Sequence, residues 1–385
     1  MTLKYLLTSA FALVLVAMVL LGCSPPASNS EEPAAPETPQ VAPIGPAAVN
    51  DSTALNATAR LLAGLEAPDA HTAAMNAIWQ ELDEKHLDPM RAWRGEVLDP
   101  LAGKASPLAG TPVFYPFGGP NLLNAHTFFP DAPVYVLVGL EPPGPIPVLD
   151  GLAGTELTAE LERLEGSFGN LVRAGYFVRT QMDNQLVKAE VLEGLLPMMT
   201  IFAARTGHQL NEITFIDLAD DGIAQPAPEA RSGKGGSVRL RLVSEEGDEK
   251  LFYYFSQDLS DSGLEARPGF LAFIRGLGRF RTTMKSAEYL LQMDGFQVLR
   301  DFLAQESVAV LQDDSGLPLS AMANEPMQLH FFGTYTETLP SYGQWFQQDL
   351  ADAFAATEQP PLPFNIGYHV DIGGSALILG IRKAP

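Results

Sequence analysis

One cysteine stands in 385 residues, at position 23. An intrachain disulfide, a Cys-x-x-Cys redox pair and a cysteine-built zinc site are therefore excluded. Basic residues are scarce as well: 24 Lys and Arg face 46 Asp and Glu, for a formal net charge of −22. A surface of that sign repels phosphate backbones, so no nucleic-acid partner is expected, and the acidity reads first as a solubility device. The six histidines form neither H-E-x-x-H nor H-x-H, so a zinc site would need ligands from distant segments. No G-x-S-x-G elbow presents a nucleophilic serine, and Ser375 beside Gly374 reads as a turn residue. No repeat of fixed period runs along the chain. From these absences no metal, no cofactor and no catalytic constellation are expected.

What is present begins at the N-terminus. Lys4 precedes an apolar run from Tyr5 to Leu21, and Leu20-Leu21-Gly22-Cys23 closes it. A cation, an apolar stretch and a small residue make up the layout of a secretory signal. By length alone the run leaves an uncleaved membrane span open. The last four residues resemble the lipobox of bacterial lipoproteins. That resemblance implies cleavage before Cys23, lipid on its sulfur and new amino group, and a membrane partner held through covalent lipid. Two or more acyl chains hold a protein stably where one does not. Ser24, in place of the Asp that resembles an inner-membrane retention signal, implies the outer membrane in a Gram-negative host.

Residues 24–49 carry seven prolines and no aromatic side chain. Such a segment cannot bury enough apolar surface to offset its ordering entropy, and reads as an extended tether with a reach of about 80 Å. The expected organisation is a signal peptide at 1–22, a lipidated tether at 23–49 and a single globular domain at 50–385.

Within that domain the patterning predicts helices over Thr53–Leu65, Asp69–His86, Glu156–Ala174, Lys188–Thr206, Pro268–Leu277, Phe296–Gln305 and Tyr342–Ala356. Strands are predicted at Val113–Phe117, Val134–Leu140, Glu212–Asp217, Ser237–Ser244, Lys250–Ser256, Val308–Gln312, Met327–Phe332, Ile366–Val370 and Ala376–Ile381. Interleaved helices and strands predict an α/β fold with a mixed, partly parallel sheet flanked by helices; α+β is the alternative. In Phe252-Tyr253-Tyr254-Phe255 the alternation sends ring pairs to opposite faces of a sheet covered on both sides. A glycan platform is the competing use of these and the other aromatic clusters, Phe331-Phe332 and Trp345-Phe346.

The sharpest candidate site is the unit strand, Gly118-Gly119-Pro120-Asn121, helix, strand, Glu141. A Gly-rich turn followed about 20 positions later by an acidic residue at a strand end is how nucleotide folds hold a ribose. The unit resembles the cofactor half of class I methyltransferases, which would make Gly118, Gly119, Asn121 and Glu141 ligand-binding. It departs from that pattern: the glycines are adjacent rather than spaced, and Pro120 removes a backbone donor. The stretch from Tyr115 through Phe129-Pro130-Asp131 to Gly139-Leu140-Glu141-Pro142 is also similar to one in uncharacterised secreted bacterial proteins, which implies no activity.

Asp313 and Asp314 follow a predicted strand directly, where α/β sheets gather ligands, and join the candidate binding residues; the competing reading is an Asp/Ser/Gly turn with Asx capping, which the composition favours unaided. Asp217, Asp220 and Asp221 depart from the alternating calcium-loop spacing and read as a turn. His126 lies beside the glycine turn in sequence. The expected function is a binding or structural role at the cell envelope, with a small molecule or an envelope protein as partner. The alternative is a degenerate nucleotide-fold (methyltransferase-like) or metal-assisted enzyme.

Overall fold

The computed structural model describes residues 52–66, 69–149, 154–174, 192–228, 235–357, 360–368 and 374–383. The predicted signal peptide, Cys23, the tether and His369 lie outside these residues, as does part of the predicted helix Lys188–Thr206.

Among the described residues ten strands form one sheet: β1 (Val113–Tyr115), β2 (Val134–Gly139), β3 (His208–Leu218), β4 (Ala224–Pro226), β5 (Ser237–Ser244), β6 (Glu249–Ser256), β7 (Arg281–Met284), β8 (Ala309–Gln312), β9 (Met327–Gly333) and β10 (Ala376–Arg382). Their spatial order is β4-β3-β5-β6-β2-β1-β7-β8-β10-β9. The five central strands, β6 to β8, are mutually parallel, and antiparallel strands extend both ends. The fold is thus α/β with a mixed sheet.

Strand alternation divides the interior. Val134, Val136 and Val138 point with Phe114, Tyr253 and Phe255 into one core; Tyr135 and Leu137 point with Tyr115, Phe252 and Tyr254 into the other. The first core packs against helices Gly269–Gly276, Gln297–Glu306 and Gln348–Thr357. The second packs against Leu122–Phe128, Leu196–Arg205 and the N-terminal helices. Central parallel strands buried on both faces read as near-continuous apolar runs, which is why β2 is so plain in the sequence.

Three departures from the expected elements have identifiable causes. The helix expected to stop at His86 continues to Leu101 through two π-turn segments, Asp83–Leu87 and Arg94–Leu98. Each precedes an Asp-Pro pair. Proline lacks an N–H and its ring crowds the carbonyl four residues back; the wider turn lets the Asp88 and Asp99 amides bond the carbonyls of Asp83 and Arg94 instead. Residues 366–368 belong to no strand, so the described part of the predicted strand Ile366–Val370 is a turn. Finally, β7 was not expected from its sequence Arg-Thr-Thr-Met. It lies between β1 and β8, and makes the sheet doubly wound.

Candidate functional site

The order β6-β2-β1-β7-β8 is 3-2-1-4-5 when these strands are counted along the chain, the arrangement of doubly wound nucleotide-binding sheets. Between β1 and β7 the winding reverses. Connections then leave the sheet in opposite directions, and a crevice opens beyond the C-terminal strand ends. A cavity of about 200 Å³ lies there, lined from β1 by Tyr115–Gly119, from β2 by Val138–Glu141, from β6 by Gln257–Leu259 and from β7 by Lys285–Glu288. A cavity of about 150 Å³ takes a benzene ring, so a ring-sized group fits.

The glycine turn is shaped by close approach. Gly118 N–H donates to the Tyr115 carbonyl, and Gly119 N–H to that of Val138 at 2.9 Å. A Cβ on Gly118 would stand 2.6 Å from the Tyr115 ring. Gly119 has φ +52°, and the side on which its Cβ would stand is open. Gly139 closes the opposite wall: a Cβ there would lie 2.7 Å from the Tyr254 hydroxyl, 3.1 Å from Glu141 Oε2 and 3.2 Å from Gly119 Cα. Glu141 itself is buried; Tyr254 donates to its carbonyl at 2.7 Å, and Leu140 N–H donates to its Oε2 at 3.2 Å. Asn121 lines the crevice too, but its side chain caps the helix Leu122–Phe128 by accepting from Asn124 N–H at 3.1 Å.

Four of the six candidate binding residues, Gly118, Gly119, Asn121 and Glu141, therefore share one cavity. Asp313 and Asp314 stand behind it, fully buried, and hold the loop that follows β7. Asp313 accepts from Ser286 N–H at 2.8 Å and from Ser315 N–H at 3.0 Å; Ala287 N–H donates to Ser315 Oγ, and Tyr289 donates to Asp314. Tyr368 adds a further clamp, accepting from Glu288 N–H and donating to the Ser286 carbonyl.

That clamping has a reason. Ser286, Glu288 and Tyr289 have φ of 54°, 52° and 56°, and are the non-glycine residues with positive φ among those described. Each costs of order 1 kcal/mol or more, and such strain persists only where its surroundings over-determine it, as at ligand sites. Lys285 opens the same loop. Burial holds its amine down at about 8, against the attraction of Asp313. Burial and the neighbouring Asp314 push the Asp313 carboxyl well above the carboxylate range.

The sequence gives no warning of Lys285–Glu288 or of Gln257 and Asp258. The β-branched pair Thr282-Thr283 is the one local signal for β7. His126, adjacent to the glycine turn in sequence, lies elsewhere; its ring is 5.1 Å from that of His208. Asp221 forms a turn by accepting from Ile223 N–H. Among the described residues no three His, Cys, Asp or Glu side chains are grouped to hold a metal. Comparison with protein-family models and with curated proteins finds nothing that matches this chain.

Proposed function

We propose that this protein is a lipid-anchored component of the bacterial envelope whose body binds a small hydroxylated, nucleoside-like molecule at the switch-point crevice. One observation carries the reading: the glycine turn, the carboxylate ending β2 and a strained loop after β7 converge on a single open cavity. A carboxylate beside glycine backbone suits a diol, because its two oxygens accept from adjacent hydroxyls while the bare backbone allows close approach. Lys285 supplies a cation for an acidic substituent. The lipobox-like Leu20-Leu21-Gly22-Cys23 supports the anchor, with the outer membrane as its place in a Gram-negative host.

A second reading, a methyltransferase-like or other nucleotide-fold enzyme, is favoured by the strand order and by an amine at the crevice poised near neutrality. Native mass spectrometry of the full chain, released in mild detergent from its own envelope, tests both. A co-purifying small molecule that Glu141→Ala loses supports binding at the crevice. A nucleoside carrying a transferable group favours the enzyme. A bare mass with both proteins, repeated after incubation with a nucleoside library, would sink both.

A further inference from the structure

A second built cavity lies at the opposite, N-terminal ends of β3 and β6, with a volume of about 490 Å³. In a chain of net charge −22, four cations from three separate segments gather around it: Arg91 and Arg94 from one helix, Arg205 and Lys250. Lys250 Nζ donates to the carbonyls of Pro130 at 2.7 Å and Ala132 at 3.0 Å, which fix the ammonium without neutralising it. Arg94 donates through Nη1 to the Thr127 carbonyl. Its Nε has no hydrogen-bond partner among the described residues, and the nearest carboxylate oxygen, on Asp99, is 3.7 Å away. Glu245, Glu246 and Asp248 also face the cavity, but from an exposed rim where water and salt screen them.

At the cavity wall stands His208, only 7% exposed. Its Nδ1 is 3.0 Å from Thr206 Oγ1, and its Nε2 is buried with no hydrogen-bond partner among the described residues. The Thr206 hydroxyl has a single proton, which it directs at the Phe202 and Ala203 carbonyls. Nδ1 must then be the donor in the pair with Thr206, which leaves the Nε2 lone pair as an acceptor. A buried acceptor without a donor is costly, and a ligand that brings a proton relieves it. Sulfate brings none at neutral pH; hydrogenphosphate does, and a phosphate monoester does in its monoanionic form, below a second pKa of about 6.

We infer that this cleft binds a protonated phosphoryl group, with Lys250 and Arg94 as donors to its oxygens and His208 Nε2 as acceptor of its P–OH proton. His126, edge to face with His208 at 5.1 Å, closes the pocket beside it. Both imidazoles are held neutral: burial, with Lys250 adding to it, lowers His208 to about 4, and burial with His208, Lys250, Arg94 and Arg91 lowers His126 to about 3. The phosphoryl group belongs either to a lipid headgroup or to a soluble molecule.

Inorganic phosphate and sulfate, each titrated into the full chain in non-ionic detergent and followed by calorimetry and the histidine ring proton resonances, test the assignment. Saturable phosphate binding that shifts the His126 and His208 resonances is expected, with sulfate about tenfold weaker or worse. Lys250→Gln and His208→Gln, checked for unaltered melting, each weaken phosphate by about tenfold or more. Sulfate binding as tight as phosphate, or no saturation by phosphate, overturns the inference without any variant. Vesicles containing phosphatidic acid supply the final arm. Displacement of phosphate by them supports a headgroup source; phosphate that stays bound in their presence supports a soluble one.

Discussion

The two ends of the sheet solve the problem of holding a ligand in opposite ways. At the C-terminal end the crevice is made of backbone: two adjacent glycines, a third at Gly139, and a loop with three left-handed residues. Its charged groups are few. At the N-terminal end the cleft is made of side chains, with cations set on backbone carbonyls and two neutral imidazoles between them. The difference follows from topology. Parallel strands launch their crossovers from the C-terminal ends, so loop backbone is concentrated there and winding reversal leaves a gap. At the other end strands are entered from several distant segments, and only long side chains reach across.

The comparison is tested most severely at Asp313. Asp313→Ala strips the acceptor from Ser286 N–H, Ser315 N–H and the Ser315 hydroxyl, all buried or half-buried. Leaving those donors unpaired and freeing three strained residues is expected to lower stability by roughly 2–3 kcal/mol in urea unfolding. Ligand retention at the crevice should be lost, while phosphate affinity at the cleft stays unchanged. Retention of the crevice ligand would mean that the loop holds its own shape, and the contrast between backbone-built and side-chain-built sites would fail.

Titration separates the two ends along the pH axis. His126 and His208 take up protons at about 3 and about 4 in the folded protein but at about 6.5 when unfolded. Between those limits the unfolded chain binds more protons, so these residues withdraw stability as pH falls below 6.5. Lys285 loses its proton at about 8 when folded and about 10.5 when unfolded, so it adds stability as pH rises across that window. Asp313, its carboxyl raised by burial, has the opposite sign in the acid range, but is common to all the proteins compared. Urea midpoints from pH 4 to 10.5 should show the acid limb flattened in His126→Gln/His208→Gln alone, and the alkaline limb flattened in Lys285→Met alone. A variant that flattened both limbs would couple the two ends.

How far the sequence discloses each end follows from the same difference. The crevice's first half lies in one stretch, Tyr115 to Glu141, so local spacing was enough to bring Gly118, Gly119, Asn121 and Glu141 together. Its second half depends on β7, a four-residue strand whose Arg281 is fully buried. There Arg281 donates to the Ala102 and Thr111 carbonyls, pairs with Asp131 and lies over the Phe129 ring. No rule of hydrophobic alternation finds a strand that begins with a buried guanidinium. Asp313 and Asp314 are noticeable as a pair, yet whether they face a ligand or a loop depends on the left-handed backbone of Ser286, Glu288 and Tyr289, which nothing in Ser-Ala-Glu-Tyr announces. The cleft is harder still. His126 and His208 are separated by 82 positions, and their neighbour Arg94 lies beyond His86, where the helix expected from the apolar stripe ends.

The smallest effect concerns the cleft's rim, where the distinction between contact and field can be drawn. Arg91 is 42% exposed and already pairs with Asp83 at 2.9 Å and Asp88 at 2.7 Å. Exposed pairs of this kind contribute about 0–1 kcal/mol, so Arg91→Gln should leave unfolding nearly unchanged. Phosphate affinity should fall about two- to threefold at low ionic strength, and the loss should vanish near 1 M salt, where screening acts over roughly 3 Å. A cation that acts through its field must behave this way; one that touches the ligand must not. A tenfold loss that persists in high salt would make Arg91 a direct donor, and would move the recognition centre from Lys250 toward the π-turn between Asp83 and Leu87.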